Sequence, residues 1–286
     1  MSSVALLVRV ELAKQVRRPR TYLTLGALAL FDAALVIALA ATGPHKTERV
    51  GDIPLLLVPA SGGWTSPVIA LASTMKFFLP LAVAVFAGDA VAGEAGWGSL
   101  RYLLAHPVSR SRILLSKAVV ALMLSATALM VIPIVALAAG VVAFGWHPLV
   151  VVDGSAGSHL HQVSETFSTG ASLVRLSLAT VYIGAGMTSI FAFAFFLSTL
   201  TARSFAAVAG GVGLTIVSRV LNADYLPGVA VLNPYMPNNA VDKWQHWLQR
   251  PAQTDGMGHF LFLQLAYVVV FGGLAWWVFA KRDQLA

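Results

Sequence analysis

The chain has 286 residues, of which 58% are hydrophobic and only 11% charged, and it carries a net charge of +7. Soluble domains hold roughly 25% charged residues, so this composition excludes an ordinary soluble domain and points to an integral membrane protein. The excess positive charge sits at the ends of apolar runs, which reads as membrane orientation rather than nucleic-acid binding. With no cysteine in the chain, disulfides, thiol nucleophiles and cysteine-ligated metals are excluded.

The first element is SSVALLVRVELAKQVRRPR. At helical spacing Ala5, Val8, Leu12 and Val16 share one face, with Glu11, Lys14 and Arg18 on the other. This predicts an amphipathic helix over residues 1–20, lying in the inner interface with its cations toward anionic lipid. Arg9 is off this pattern, and a plain basic flank without a helix is the alternative. Pro19 ends the segment.

Six runs are long enough to span. A crossing helix needs about 20 apolar residues. The candidates are Tyr22–Thr42, Val68–Ala92, Ile113–Phe144, Leu173–Leu200, Phe205–Leu221 and Phe260–Ala280. The basic segment before the first span and that span's length argue against a cleaved signal peptide. The third run is long and contains Pro133. The short break Thr201–Ser204 makes the fourth and fifth spans antiparallel neighbours.

With the N-terminus inside, the inner segments hold Arg9, Lys14, Arg17, Arg18, Arg20, Arg101, Arg110, Arg112, Lys117, Arg203, Lys281 and Arg282. The outer loops hold Lys46, Arg49, Lys243 and Arg250. This bias predicts that both termini are cytoplasmic. Two outer loops are substantial. Gly43–Ser66 is Gly/Pro-rich with Trp64 near the interface. Residues 222–259 hold LNPYMPNNAVDKWQHWLQRP, which reads as short helices dipping back toward the outer surface, with Trp244 and Trp247 as interfacial aromatics; an ordinary structured loop is equally open.

The most polar long stretch between spans is EAGWGSLRYLLAHPVSRSRILLSK, Glu94–Lys117. Gly93, Gly96 and Gly98 loosen the exit from the second span. Glu94 reads as the acid at a helix N-terminus. Trp97, Leu100, Leu103 and Leu104 recur at roughly helical spacing, with Arg101 among them, and Pro107 stops the run. The segment over 93–112 predicts a short rigid helix with apolar knobs, suited to docking in another protein's groove.

This stretch, read as E-x-x-x-G-S-L-R-x-L-L-x-x-P-V-S-R from Glu94 to Arg110, resembles the permease subunits of the type-2 ABC exporter family. VELAKQVRRPRTYL, Val10–Leu23, is similar to that family's elbow helix, and FAKRDQL, Phe279–Leu285, to its tail. The sequence departs from the family at Ser99, where threonine is usual, and in the outer segment 146–170.

The resemblance implies one transmembrane permease domain over 1–286. It is an all-α integral membrane protein of six transmembrane helices, with an elbow helix, a cytoplasmic coupling helix and short outer helices before the last span. It also implies an ATP-driven exporter in the inner membrane: a second permease copy, homo- or heterodimeric, and separate cytoplasmic ABC ATPase subunits that hold ATP and Mg. The coupling residues it implies are Glu94, Gly98, Ser99, Leu100, Arg101, Leu104, Pro107 and Arg110. The chain itself has no G-x-x-x-x-G-K-[ST], so it is expected to be no enzyme and to carry no cofactor. Two other classes are carried alongside. One is a membrane enzyme acting on lipid-linked or outer-face substrates; the other is an ATPase-coupled mechanotransmitter that moves no solute.

Two ionisable residues fall inside spans. An intramembrane charge is costly and is a functional hypothesis by default. Asp32 is central in LALFDAALVIAL. It is read as pairing with Lys76 or facing a dimer interface. Lys76 is read as marking a pathway, or as snorkelling from a span that starts later than drawn. Arg175 and Arg219 lie near outer ends and read as snorkelling. Asp89, one turn before the inner end of its span, is read as pairing with a basic residue of the N-terminal helix or as solvated. His147, His159, His161 and Glu165 are a weak metal-ligand candidate in a polar outer segment. Gly184–Thr188 and Gly210–Gly213 read as close helix packing.

Overall fold

The computed structural model describes residues 3–42, 48–49, 55–57, 63–98, 109–153, 164–221, 227–237, 239–248, 252 and 254–281. Helix α1, Ser3–Val16, leads into α2, Pro19–Thr42. Pro19 occupies the first helical position of α2, where its missing N–H costs nothing. Two short strands follow, β1 Glu48–Arg49 and β2 Leu55–Leu57, then helices α3, Ser66–Thr74, and α4, Phe78–Gly96. Helix α5 runs Arg110–Phe144, strands β3 and β4 cover Leu149–Asp153 and Ser164–Phe167, and α6 runs Thr169–Leu200. Helix α7 is Ser204–Leu221. Two 3₁₀ helices, Pro227–Tyr235 and Val241–Leu248, precede α8, Met257–Lys281. Six helices, α2 and α4–α8, are long and apolar enough to cross a membrane.

Helices α4 and α6 form the centre. Of α4's most apolar stretch 78% is buried, against 11% for α8 and 17% for α2, which lie at the periphery. Helix α6 packs on α4, α7 and α8, while α2, α3 and α1 pack on α5. Helix α5 has 35 residues, roughly 52 Å, well beyond the roughly 30 Å hydrocarbon core. Its Pro133 is buried inside the helix. Close approaches rest on small residues. A Cβ on Gly88 would stand 2.9 Å from the backbone nitrogen of Val208, and one on Gly211 would stand 2.9 Å from Cβ of Ala194. Gly184 fits the same reading, with Leu129 Cδ2 2.8 Å from where its Cβ would be, whereas Gly213 has open space.

Four expectations are corrected. The second span is not one helix from 68 to 92. It is broken at Met75–Phe77 between α3 and α4. Pro80 explains the break, because it has no N–H for the Lys76 carbonyl and its ring would clash there. Second, the fold is not purely α-helical. Strands β1–β4 form one antiparallel sheet in that order, with Leu56 opposite Val152 and Val151 opposite Glu165. The β-branched run Val150–Val152 favours extended backbone, and this accounts for part of the segment 146–170.

Third, Trp64 and Trp244 are core residues, 3% and 0% exposed, rather than interfacial aromatics. Trp64 meets Trp146 edge-on at 5.5 Å. The second 3₁₀ helix packs Val241, Trp244 and Leu248 against the bundle, and the Tyr182 hydroxyl donates to the Ala240 carbonyl at 2.8 Å. Fourth, α1 buries Glu11 and Gln15 as well as packing Val8 and Leu12 on the core, while Val16, expected on the apolar face, is exposed. Arg175 donates to the Trp247 carbonyl at 2.6 Å and lies 4.5 Å over the Phe167 ring.

Candidate functional site

Glu94 lies in the last turn of α4, not at a helix start. There the helix dipole disfavours an acid, so something must offset it. The offset is a buried cluster of opposite charge. Lys117, in the second turn of α5, forms an ion pair with Glu94 Oε2 at 2.6 Å. Each side chain is only 1% exposed. Lys117 Nζ also donates to Glu11 Oε1 of α1 at 3.2 Å, and Lys14 of α1 donates to Glu94 Oε1. Arg18 Nη1 donates to Asp89 Oδ2 at 3.2 Å and approaches Glu94 to 3.9 Å. Arg20, at the start of α2, pairs with the same Asp89 oxygen and donates to Gln15 Oε1 at 2.8 Å. Gln15 in turn donates to Glu11 at 3.0 Å.

Four cations thus enclose three carboxylates and join α1, α2, α4 and α5 at one end of the bundle. The two ends of the polar stretch Glu94–Lys117 are held together at its base. A buried charge left unpaired is strongly destabilising, so each member depends on the others. Beside the network a hollow of about 640 Å³ is lined by Arg18, Pro19, Arg20 and Trp97, and Trp97 is 90% exposed.

The sequence-predicted coupling residues divide four ways. Glu94 is in the network. Gly98, two residues past the end of α4, lies in the left-handed region, φ +71°, which favours glycine. Arg110 opens α5 and donates to the Ala280 carbonyl at 3.0 Å, joining the base of α5 to the end of α8. Trp276 Nε1 reinforces this by donating to Ser111 Oγ at 3.1 Å. Ser99, Leu100, Arg101, Leu104 and Pro107 lie outside the described residues.

The two intramembrane candidates do not come together. Asp32 is fully buried and bonded to Thr74, whereas Lys76 is exposed at the α3–α4 break, and no ion pair joins them. Asp89 does pair with basic residues of the 1–20 segment, Arg18 between α1 and α2 and Arg20 at the start of α2. Sequence reasoning names Glu11 on a polar helix face and Lys117 as an inner cation but gives neither a site role, and it does not name Gln15. Only Lys117 gave a signal, as a lone cation in the apolar run of α5; Glu11 and Gln15 read as part of an ordinary polar helix face. For metal, His159 and His161 lie outside the described residues, and among the described residues no group of three or more His, Cys, Asp or Glu is placed to hold a metal ion.

Residues 55–285 match the model of the family described as "Protein of unknown function (DUF2705)". The chain belongs to that family. The match holds Asp89, Glu94 and Lys117 and leaves Glu11, Lys14, Arg18 and Arg20 outside it, so the network straddles its edge. Among curated relatives, the chain is 24% identical over 230 residues to "Uncharacterized protein YhcI" of Bacillus subtilis (strain 168), covering 79% of this chain and 71% of that protein. It is 33% identical over 91 residues to "Probable ABC transporter permease protein NosY" of Stutzerimonas stutzeri. That alignment covers 32% of this chain and 30% of that protein.

Proposed function

We propose that the chain is the membrane permease subunit of an ATP-driven exporter. It works beside a second permease copy, with separate ATPase subunits bound at the end of the bundle that carries the charge network. Both termini and this end face the cytoplasm. ATP and Mg belong to the partner. One observation carries the reading: ion pairs join the two ends of the Glu94–Lys117 stretch to each other and to α1, and the same network ties α4 to the first span through Asp89 and Arg20. A partner that pushes on this stretch therefore moves helices as a body rather than bending a loop. The local similarity to a probable ABC transporter permease supports the same reading. So do the exposed Trp97 and the basic hollow beside it, which suit an apolar and acidic docking surface.

Site-directed photocrosslinking tests it. A benzoylphenylalanine replacing Trp97 should capture, in cells, a chain that carries an ATP-binding P-loop. The same group replacing Phe262, exposed on α8, should not. Trp97 adducts confined to lipid or to this chain itself would overturn the reading.

A further inference from the structure

Asp32 sits halfway along α2, inside a span, and is 0% exposed. Its Oδ1 accepts a hydrogen bond from Thr74 Oγ1 at 2.7 Å. Its Oδ2 is buried with no hydrogen-bond partner among the described residues. A lone ionised carboxylate in such surroundings is very costly and is met in proteins only with its charge compensated.

The residue that Asp32 touches ends a broken helix. Thr74 is the last residue of α3, and the next helical residue is Phe78. Within the break, Phe77 N–H donates to the Thr74 carbonyl at 3.4 Å rather than to that of Ser73. Pro80 has no N–H to offer the Lys76 carbonyl. Backbone acceptors are therefore released where α3 presents the negative end of its dipole. A carboxylate oxygen, a hydroxyl, freed carbonyls and a negative helix end are all oxygen-rich and electron-rich. Discontinuous membrane helices with this composition suit small cations.

Among the described residues no side chain supplies the missing charge. Lys76 is exposed and makes no ion pair with Asp32. The elements packed on α2 are α1, α3, α4 and α5. Helix α3 has no charged residue. On α4, Asp89 and Glu94 are committed to the network at the other end, as is Lys117 on α5, where Arg110 and Arg112 lie further out still. On α1, Glu11 and Lys14 belong to that network and Arg9 is exposed. Arg20, the nearest cation along α2, is twelve residues away and faces Asp89, roughly 18 Å along the axis.

We propose that Asp32 and Thr74, with the broken end of α3, form a binding site for one monovalent cation, a proton or Na⁺. The single carboxylate suits one positive charge and not a divalent ion. The inference does not rest on the permease reading and holds for any function at the opposite end.

The test is thermal unfolding of the full chain in detergent. Na⁺ is exchanged for choline at constant ionic strength, and separately pH is varied without Na⁺. The wild type should gain stability with Na⁺, or show a pH dependence without it, and Asp32→Asn should lose that same response. A Na⁺ response assigns the site to Na⁺, and a pH response alone assigns it to a proton. In the Na⁺ case Thr74→Val should raise the half-saturating concentration about tenfold, as loss of one polar contact does. In the proton case it should move the midpoint of the pH response. If Asp32→Asn does not fold, Thr74→Val decides. A wild type indifferent to both Na⁺ and pH, an Asp32→Asn response equal to wild type, or an unmoved Thr74→Val midpoint overturns the proposal.

Discussion

Replacing Lys117 by methionine removes the cation at the centre of the charge network while keeping a straight, helix-compatible side chain. Lys117 and Glu94 are each 1% exposed, so water screens neither. Without Lys117, Glu11 keeps its hydrogen bond from Gln15 and the attraction of Arg20, and Glu94 keeps Lys14, Arg18 and the field of Arg20. Breaking a buried pair on one side costs about 3–5 kcal/mol. At about 2–4 °C per kcal/mol for a chain of this size, Tm should fall on the order of 6–20 °C. The partner variant Glu94→Gln should also destabilise, because it strands Lys117 beside Glu11 alone. The double variant should lose less than the sum of the two. Their coupling should fall on the order of 0.5–3 kcal/mol, as for residues in one network. The assay is the unfolding midpoint of purified protein in a single detergent. A Lys117→Met loss below about 1 kcal/mol, or strict additivity, would refute the claim that these charges act as a unit.

Other outcomes follow from the same geometry. Gly211→Ala places a methyl against Ala194 and Ala84 and should cost about 1–3 kcal/mol by overpacking. Gly213→Ala meets nothing within 4 Å and should be neutral or stabilising by up to about 1 kcal/mol; both are read from unfolding midpoints. Arg110→Glu removes the tie to the Ala280 carbonyl and should leave the chain inserted while uncoupling partner ATP hydrolysis from export. Equal transport by the variant and wild type would count against a coupling role. The chain has no cysteine, so single cysteines report topology cleanly. Lys46→Cys should react with an impermeant maleimide in intact cells, and Arg112→Cys only after the membrane is opened.

The spans were legible because about 20 apolar residues in a row have few other readings. Tyr22–Thr42 and Ile113–Phe144 match α2 and α5 to within three residues at each end. The α3–α4 break was not legible. Pro80 lies in a run as apolar as its neighbours, and hydropathy does not register a lost hydrogen bond. The sheet was hidden for another reason: Leu55–Leu57 pairs with Val151–Asp153, nearly a hundred residues away, and no local pattern announces such a partner. In the network, the Asp89 pairing was readable from charge and depth. The Glu94–Lys117 pair was not, because Glu94 had been placed at a helix start when it closes α4. Helix α1 misled similarly. Its hydrophobic spacing suggested that Glu11 faced away from the protein, yet the cations of α2 and α5 draw Glu11 inward.

On the proposed function, the ion-paired base of the Glu94–Lys117 stretch exists to receive force from an ATPase. Purification of the tagged chain from its native host in mild detergent, with every stoichiometric partner identified by mass spectrometry, tests it most directly. The expected result is an ATPase subunit with a P-loop that co-purifies with both the wild type and Arg110→Glu. Absence of any such subunit, under conditions that keep other membrane complexes of the same cells intact, would contradict it.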